Sequence, residues 1–147
     1  EARRFGATDF IDASALGDAT GSDAVAGLLP NGVDHVFECV GNPGLIRDAI
    51  AMLDWGGNLI LLGVPKLGTE ASYVVNDLYN DKAIMGCRYG TTRPHHDIPM
   101  LLGLYAQGRL KLDELVSKTY PLADVQVALD DLHAGTLNRG VFSVSTG

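Results

Sequence analysis

One short segment restricts the possible folds of this chain more than any other. The run Asn58-Leu59-Ile60-Leu61-Leu62-Gly63-Val64 is almost continuously apolar and directly follows the pair Gly56-Gly57. A strand that is covered on both faces has this composition, whereas a strand with one face in water alternates apolar and polar residues. A membrane span needs roughly 20 such residues, so the run is too short for that role. It therefore predicts an interior strand of a parallel sheet.

Strand and helix patterns alternate through the rest of the chain. Val33–Val40 is partly alternating and β-branched and ends at Gly41, which predicts a strand. Asn42 can cap the next helix, which we expect to stop at Gly56-Gly57. The other strand patterns are Asp9–Asp12, Ala71–Asn76, Lys82–Tyr89, Val116–Tyr120 and Val141–Val144, and the other helix patterns are Ser22–Leu29, Asp97–Gly108 and Val125–Gly135. This alternation predicts that residues 1–147 form a single α/β domain with a mostly parallel sheet.

The front of the chain has the pattern of an interrupted helix. Glu1–Phe5 resembles the last turns of a helix that Gly6 ends, and no residue stands before it as an N-cap. We therefore expect that the polypeptide has been cut there. Ser22 is the expected cap of the next predicted helix.

Charge and cysteine content narrow the class of protein. The formal net charge is −7 and no basic stripe is present, so nucleic-acid binding is not expected. Neither a signal peptide nor a membrane span is recognisable. Cys39 and Cys87 both stand in apolar runs, which predicts buried, reduced thiols in a cytoplasmic protein.

Three segments at predicted strand ends could approach a ligand. They are Val40–Gly44, Leu62–Pro65 and Gly86–Gly90, and each contains glycine. Ligands of open α/β sheets bind at the carboxyl ends of strands, close to helix N-termini. Each glycine can equally serve its turn alone, and the pattern leaves both interpretations open. Arg139 could likewise reach a phosphate or be a surface charge.

Several familiar motifs do not occur. The sequence contains no G-x-G-x-x-G turn, no phosphate loop, no serine elbow, no His-Glu-x-x-His and no Cys-x-x-Cys. Asp12 follows a strand pattern, but without the glycine motif before it we do not assign it to a ribose. His35 and His133 have no companions at metal-ligand spacing, and the pair His95-His96 stands in a polar loop, where we expect a solvated pair and not a metal site. The residues alone thus predict an α/β domain with a nucleotide-binding edge and no metal site.

An ordered series of segments nevertheless resembles one family. The segments are Phe5–Asp9, Gly32–Gly41, Gly56-Gly57, Leu62–Pro65, Gly86–Gly90, Gly108–Leu110, Leu112–Val116 and Arg139–Val141. In this order they resemble the C-terminal part of zinc-containing medium-chain alcohol dehydrogenases, particularly the glutathione-dependent formaldehyde dehydrogenase-like branch. The resemblance covers essentially the whole chain. It implies a doubly wound, Rossmann-type sheet that is truncated at its N-terminal side, with the first two strands absent.

The same resemblance implies NAD as cofactor and assigns residues to it. These residues are Val40, Gly41, Asn42, Leu62, Gly63, Val64, Cys87, Tyr89 and Arg139. The segment Val40–Asn42 would lie beside the adenosine half of the dinucleotide, and Arg139 would bind its pyrophosphate. Since the residue that would read the ribose is not in the chain, the preference for NAD over NADP rests on the resemblance alone.

The nicotinamide end and the partner surface are assigned in the same way. The backbone of Leu62, Cys87 and Tyr89 would hydrogen-bond the carboxamide, and Val64 would pack against the ring. The segment Glu70–Gly90 would form a homo-oligomer interface by strand pairing.

The expected function depends on parts of the protein that the resemblance places upstream of Glu1. The zinc ligands, the glycine-rich turn and the catalytic domain all belong there, so this chain would hold neither a catalytic residue nor a metal ligand. We expect the intact protein to be an NAD-dependent alcohol dehydrogenase acting on a small primary alcohol or aldehyde. This part alone would be inactive and its sheet compromised. The alternative is a non-catalytic dimerising or binding module on the same scaffold.

Overall fold

The computed structural model of the chain describes residues 1–144. These form two compact units, Glu1–Thr92 and a second that begins at Arg93. Each unit contains its own helices and its own parallel sheet, which confirms the α/β fold class. The organisation as one domain continuous with upstream polypeptide stays a prediction.

The first unit is built on a three-stranded parallel sheet. Its elements are α1 (Gly21–Leu28), β1 (Val33–Glu38), α2 (Pro43–Ala51), β2 (Leu53–Leu61) and β3 (Ala83–Gly86). The strand order is β1-β2-β3, so the apolar run occupies the middle strand as predicted. Crossover connections join β1 to β2 and β2 to β3, as parallel neighbours require.

The core of this unit lies where α2 packs on the sheet. The buried apolar residues are Ala49, Ile50, Leu53 and Leu59, and Ile50 and Leu59 are fully enclosed. In α2 the residues Ile46, Ala49 and Ile50 fall on one helical face, which is the face that contacts the strands. The buried cluster is small for a unit of this length, and many large apolar side chains are exposed.

Helix caps agree with the sequence at one position and differ at another. Asn42 caps α2 as predicted, since its Oδ1 accepts the N–H groups of Gly44 (2.8 Å) and Leu45 (3.2 Å). The cap of α1 is Thr20 and not Ser22. Thr20 forms a reciprocal capping box with Asp23, which satisfies two backbone donors at once.

The glycine pair does not end α2, contrary to the prediction. The helix already ends at Ala51, and Gly56-Gly57 lies inside β2. Between Val33 and His35 of β1 the register on β2 advances from Leu53 to Asn58, so β2 carries extra residues there. Gly56 has φ 72°, and the pair supplies the backbone freedom that this bulge needs.

Two predicted strands are absent from the described residues. Residues 9–12 and 71–74 have no regular structure, and Val75–Leu78 is a 3-10 helix. Both segments have strand composition, but a strand forms only when a neighbour accepts and donates its backbone hydrogen bonds. The described part of the chain offers no such neighbour at either place. At the front, Ala2–Phe5 is a 3-10 helix closed by Gly6 at φ 99°, as its pattern predicted.

The second unit contains two helices and two strands. They are α3 (Pro94–Ala106), β4 (Lys118–Pro121), α4 (Val125–His133) and β5 (Gly140–Ser143). β4 and β5 pair in parallel, with Tyr120 opposite Phe142. α3 begins before the predicted Asp97, because Pro94 occupies its first turn. Asp97 instead accepts the N–H of Arg93 at 2.8 Å.

Among residues 1–144 no helix is long and apolar enough to cross a membrane.

Candidate functional site

The sheet register brings the three predicted ligand segments to one edge. Glu38 of β1 is paired with Leu61 of β2, and Leu61 is paired with Gly86 of β3. The residues that follow each strand therefore leave the sheet at the same level. We call residues 39–42, 62–65 and 87–89 the sheet edge. Sequence reasoning identified all three segments, and the structure brings them together.

Two of these segments touch through their backbones at glycine. A Cβ on Gly63 would lie 2.1 Å from the amide nitrogen of Gly41 and 2.5 Å from the carbonyl carbon of Val40. Gly41 has φ +81°, and a Cβ there would lie 2.7 Å from the nitrogen of Pro65. Both positions therefore exclude any other residue without movement of the backbone. The turns after β1 and β2 are therefore in direct backbone contact.

A buried carboxylate holds the same two turns together. Glu38 is only 5% exposed. Its Oε1 accepts the N–H groups of Val40 (2.9 Å) and Gly41 (2.8 Å), and its Oε2 also accepts the N–H of Gly41 (2.9 Å). Its main-chain oxygen accepts the N–H groups of Leu62 (2.8 Å) and Gly63 (2.9 Å). Sequence reasoning missed this role, although a glutamate at the end of an apolar strand just before a glycine turn was a usable signal.

The outer surface of the sheet edge is apolar. Val40 is 67% exposed and Val64 90% exposed, and Leu62 and Tyr89 are also exposed. Cys39 is exposed as well, so the prediction that it is buried was wrong, while Cys87 is half-buried. Cys39 falls outside the core because it follows the last residue of β1 and enters the turn. Side chains of this kind would contact a flat, uncharged ligand group.

The third segment continues into a left-handed turn. Tyr89, Gly90 and Thr91 have φ values of 51°, 71° and 52°, three successive residues in the left-handed region. Such a conformation costs about 1–2 kcal/mol for each non-glycine residue. The hydroxyl of Thr92 closes the turn by donating to the carbonyl oxygen of Tyr89. Strained backbone of this kind is found more often at functional sites than elsewhere in proteins, and the ligand role of this segment stays a prediction.

Other predicted site residues have structural partners or belong to the second unit. The side-chain oxygen of Asn42 is occupied by its capping bonds. The N–H of Cys87 donates to the carbonyl of Leu61 at 3.2 Å. Arg139 belongs to the second unit and is exposed. Its main-chain oxygen accepts hydrogen bonds from the N–H and the hydroxyl of Ser117, and its own N–H donates to the Ser117 hydroxyl oxygen. The binding roles of these residues stay predictions.

The described residues do not fit a zinc ion. Residues 1–144 contain no group of three or more His, Cys, Asp or Glu side chains placed to hold a metal. A zinc site needs three or four such ligands within bonding distance. We therefore derive no metal-dependent step from the described residues.

Known proteins resemble this chain in sequence and structure. A family model described as "Zinc-binding dehydrogenase" matches residues 1–107. S-(hydroxymethyl)glutathione dehydrogenase of Komagataella pastoris is 30% identical over 145 residues, which are 97% of this chain and 38% of that protein. The chain thus spans less than two fifths of the length of this relative.

Solved structures extend the comparison to the fold. Benzyl alcohol dehydrogenase from Acinetobacter calcoaceticus aligns with a TM-score of 0.88 and 29% identity, covering 98% of this chain and 39% of that one. A putative zinc-binding dehydrogenase from Sinorhizobium meliloti, solved bound to NADP, aligns with a TM-score of 0.74 and 26% identity. That alignment covers 87% of this chain and 36% of the other.

Proposed function

Because the chain belongs to the zinc-binding dehydrogenase family, we propose that it is the cofactor-binding part of an NAD-dependent, zinc-containing alcohol dehydrogenase. The complete protein would transfer hydride between a small primary alcohol or aldehyde and nicotinamide. The observation that carries the proposal is the backbone contact between Gly41 and Gly63 at the carboxyl ends of adjacent parallel strands. Such an edge, without side chains between the turns, lets a dinucleotide approach the sheet closely.

Positions along the edge suggest how the cofactor would lie. The adenosine half would rest on the turn Val40–Asn42, and the nicotinamide ring would pack against Val64. The N–H groups of Leu62 and Cys87 are already bonded, so these residues would offer their carbonyl oxygens to the carboxamide NH₂ group. Arg139 would pair with the pyrophosphate.

The remaining chemistry would come from polypeptide that this chain does not include. In such enzymes zinc polarises the alcohol or carbonyl oxygen while nicotinamide carries the hydride. The described residues contain no group of side chains that could hold the metal. We therefore propose that this chain supplies cofactor contacts only and is inactive alone.

The proposal of NAD over NADP rests on the family resemblance, and the proposal of a cytoplasmic location rests on the two free cysteines, Cys39 and Cys87. The relative with NADP bound shows that the other cofactor occurs on a similar scaffold. A parallel titration with both reduced cofactors distinguishes them: we expect tighter binding of NADH.

We also propose that Glu70–Gly90 forms an interface with a second copy of the protein. This segment exposes several large apolar side chains, namely Tyr73, Val74, Val75, Tyr79 and Met85. Exposed apolar residues grouped in this way are typical of association surfaces. Sedimentation of the intact protein at several concentrations tests this, and a monomer throughout would contradict it.

The alternative is a non-catalytic dimerising or binding module on the same scaffold. The observation that favours it is the group of exposed apolar side chains within Glu70–Gly90, which suits association without any catalytic role. The genomic sequence upstream of Glu1 distinguishes the two. A continuous reading frame that encodes Cys and His zinc ligands and a G-x-G-x-x-G turn supports the enzyme, whereas a start codon near Glu1 supports the module.

Cofactor titration tests the proposed function directly. We expect the complete protein to bind NADH and the 147-residue chain to bind it weakly or undetectably, because most pyrophosphate contacts would be missing. The complete protein should also contain zinc and oxidise primary alcohols. A complete protein that binds neither NADH nor NADPH would overturn the proposal.

A further inference from the structure

We infer that Glu38 is a positioning residue that shapes the adenosine end of the dinucleotide site from inside the sheet. The inference rests on the proposed function. Glu38 is 5% exposed, so its carboxylate is withdrawn from water and depends on protein donors. The donors that the structure gives it are backbone amides of the turn that would contact the ligand. The residue would act through this turn, without touching the cofactor.

The hydrogen bonds show why a carboxylate is needed at this position. Oε1 accepts from both Val40 and Gly41, and Oε2 accepts from Gly41 again. An ionised carboxylate has acceptor sites on both oxygens, whereas a glutamine has an acceptor on one side and a donor on the other. Glutamine at position 38 would direct an NH₂ group at the amide of Gly41, and the turn would have to move.

Glu38 also joins this turn to its neighbour. Its main-chain oxygen accepts the N–H groups of Leu62 and Gly63. The same Gly63 has no room for a Cβ beside Gly41. A displacement of the Val40–Gly41 turn is therefore transmitted to the turn after β2, and both sides of the proposed site change together.

The carboxylate has a second consequence for the ligand. Free amides of a strand-to-helix turn commonly bind phosphate. Here the amides of Val40 and Gly41 point at Glu38 and are already satisfied by a negative charge. This turn therefore receives an uncharged part of the cofactor, and the exposed apolar side chain of Val40 suits a sugar or a base.

The test compares variants of the complete protein by titration with NADH. We expect E38Q to weaken NADH binding by roughly tenfold or more, the size of effect expected when a buried charge-assisted hydrogen bond is replaced by a donor facing a donor. Glu38→Asp keeps the charge on a shorter side chain, so its affinity for NADH should lie between those of E38Q and the wild type. Glu114→Gln, an exposed acidic position in the second unit, is the matched control and should bind like the wild type.

The thermal unfolding midpoint is measured for every variant, and titrations are done well below it. A merely structural role predicts a lower midpoint with unchanged affinity of the folded protein, and that result would overturn the inference. If E38Q does not fold, E38D decides: reduced affinity in a folded protein supports a positioning role, and wild-type affinity contradicts it. Wild-type protein that binds neither NADH nor NADPH overturns the proposed function together with this inference. If the wild type binds NADH, and E38Q and E38D bind it with the same affinity as the wild type, this inference alone is overturned.

Discussion

Gly63 and Gly41 lie so close that a single methyl group on Gly63 would be 2.1 Å from the amide nitrogen of Gly41. The contact joins the turns after two adjacent strands, β1 and β2. Gly41 also has φ +81°, which by itself favours glycine, whereas Gly63 has no positive φ and owes its glycine to this contact. Their pairing is a property of the sheet edge, and it leads to a sharp prediction.

We expect Gly63→Ala to disrupt the sheet edge. The added methyl group would meet backbone atoms of Val40 and Gly41, which cannot rotate away as a side chain would. Such overpacking typically costs about 1–3 kcal/mol, and the affinity for NADH should fall as well. The free energy of unfolding is measured with urea, followed by the emission of Trp55, the single tryptophan.

Gly27→Ala is the matched control for that variant. Gly27 lies in α1, and a Cβ there would have no heavy atom within 4 Å. Alanine should stabilise the helix by about 0.5–1 kcal/mol and leave NADH affinity unchanged. If Gly63→Ala is as harmless as this control, the turns after β1 and β2 are not rigidly packed.

Asn42 allows the capping role to be separated from a ligand role. Its Oδ1 caps α2, so Asn42→Ala should destabilise the protein by about 1 kcal/mol. Asn42→Asp keeps the capping oxygen and removes the amide donor. If the side-chain NH₂ contacts the cofactor, the aspartate variant should retain its stability and lose NADH affinity. Equal affinity of the wild type and Asn42→Asp would limit Asn42 to capping.

The sequence allowed the sheet edge to be located but not its internal construction. The apolar run around Leu59 and the glycines after two strand patterns were local signals, and they predicted a parallel middle strand and its neighbours. The role of Glu38 depends on which backbone donors converge on one buried point, and that follows only from the strand register. The contact of Gly63 with Gly41 depends on the register in the same way.

The wrong strand predictions have a common physical cause. Residues 9–12 and 71–76 have β-branched and aromatic composition, which expresses a preference for a pleated, half-covered surface. That preference leads to a strand only if a neighbour is available, and the described residues offer none. The helix end was misplaced for another reason, because the pair Gly56-Gly57 serves a bulge in β2.

The exposed apolar surface predicts dye binding by the isolated 147-residue chain. Phe10 is 68% exposed and Phe37 of the edge strand β1 is 60% exposed. A cavity of about 390 Å³ beside Phe10 is lined mainly by apolar side chains, among them Val25 and Leu28. We expect strong fluorescence of anilinonaphthalene sulfonate with this chain and much less with the complete protein. Cooperative unfolding of a homogeneous chain without dye binding would contradict this.

A cluster in the second unit predicts a defined dependence of stability on pH. Asp131 Oδ2 accepts hydrogen bonds from Lys118 Nζ and from the Tyr120 hydroxyl, both at 2.6 Å. The bond from Lys118 is the main cause that lowers the pKa of Asp131 below its ordinary value of 3.8. Burial, followed by the bond to Asp131, raises the pKa of Tyr120 above 10.0.

The sign of each contribution follows from these directions. A carboxyl group with a lowered pKa in the folded state stabilises the protein fully above its unfolded pKa, and this stability is lost as the pH falls through the folded value. For Asp131 the loss therefore lies below pH 3.8. The pKa of Tyr120 is raised, so its contribution is complete below pH 10.0 and is lost as the pH rises through the folded pKa. The pKa of Lys118 is raised above 10.5, chiefly by the bond to Asp131. Its contribution to stability is therefore also lost as the pH rises above 10.5.

Asp131→Asn should therefore lose less stability than the wild type as the pH falls. At neutral pH the variant should be less stable than the wild type. The neighbouring Asp130→Asn is the control, since Asp130 bonds only Gln126 among the contacts described for its side chain. Urea unfolding is followed by circular dichroism from about pH 6 down to about pH 2, because the loss of stability from Asp131 lies below pH 3.8. If both variants show the acid slope of the wild type, the bonds from Lys118 and Tyr120 to Asp131 do not contribute to stability. A reduced slope in Asp131→Asn alone would assign that contribution to the cluster that ties β4 to α4.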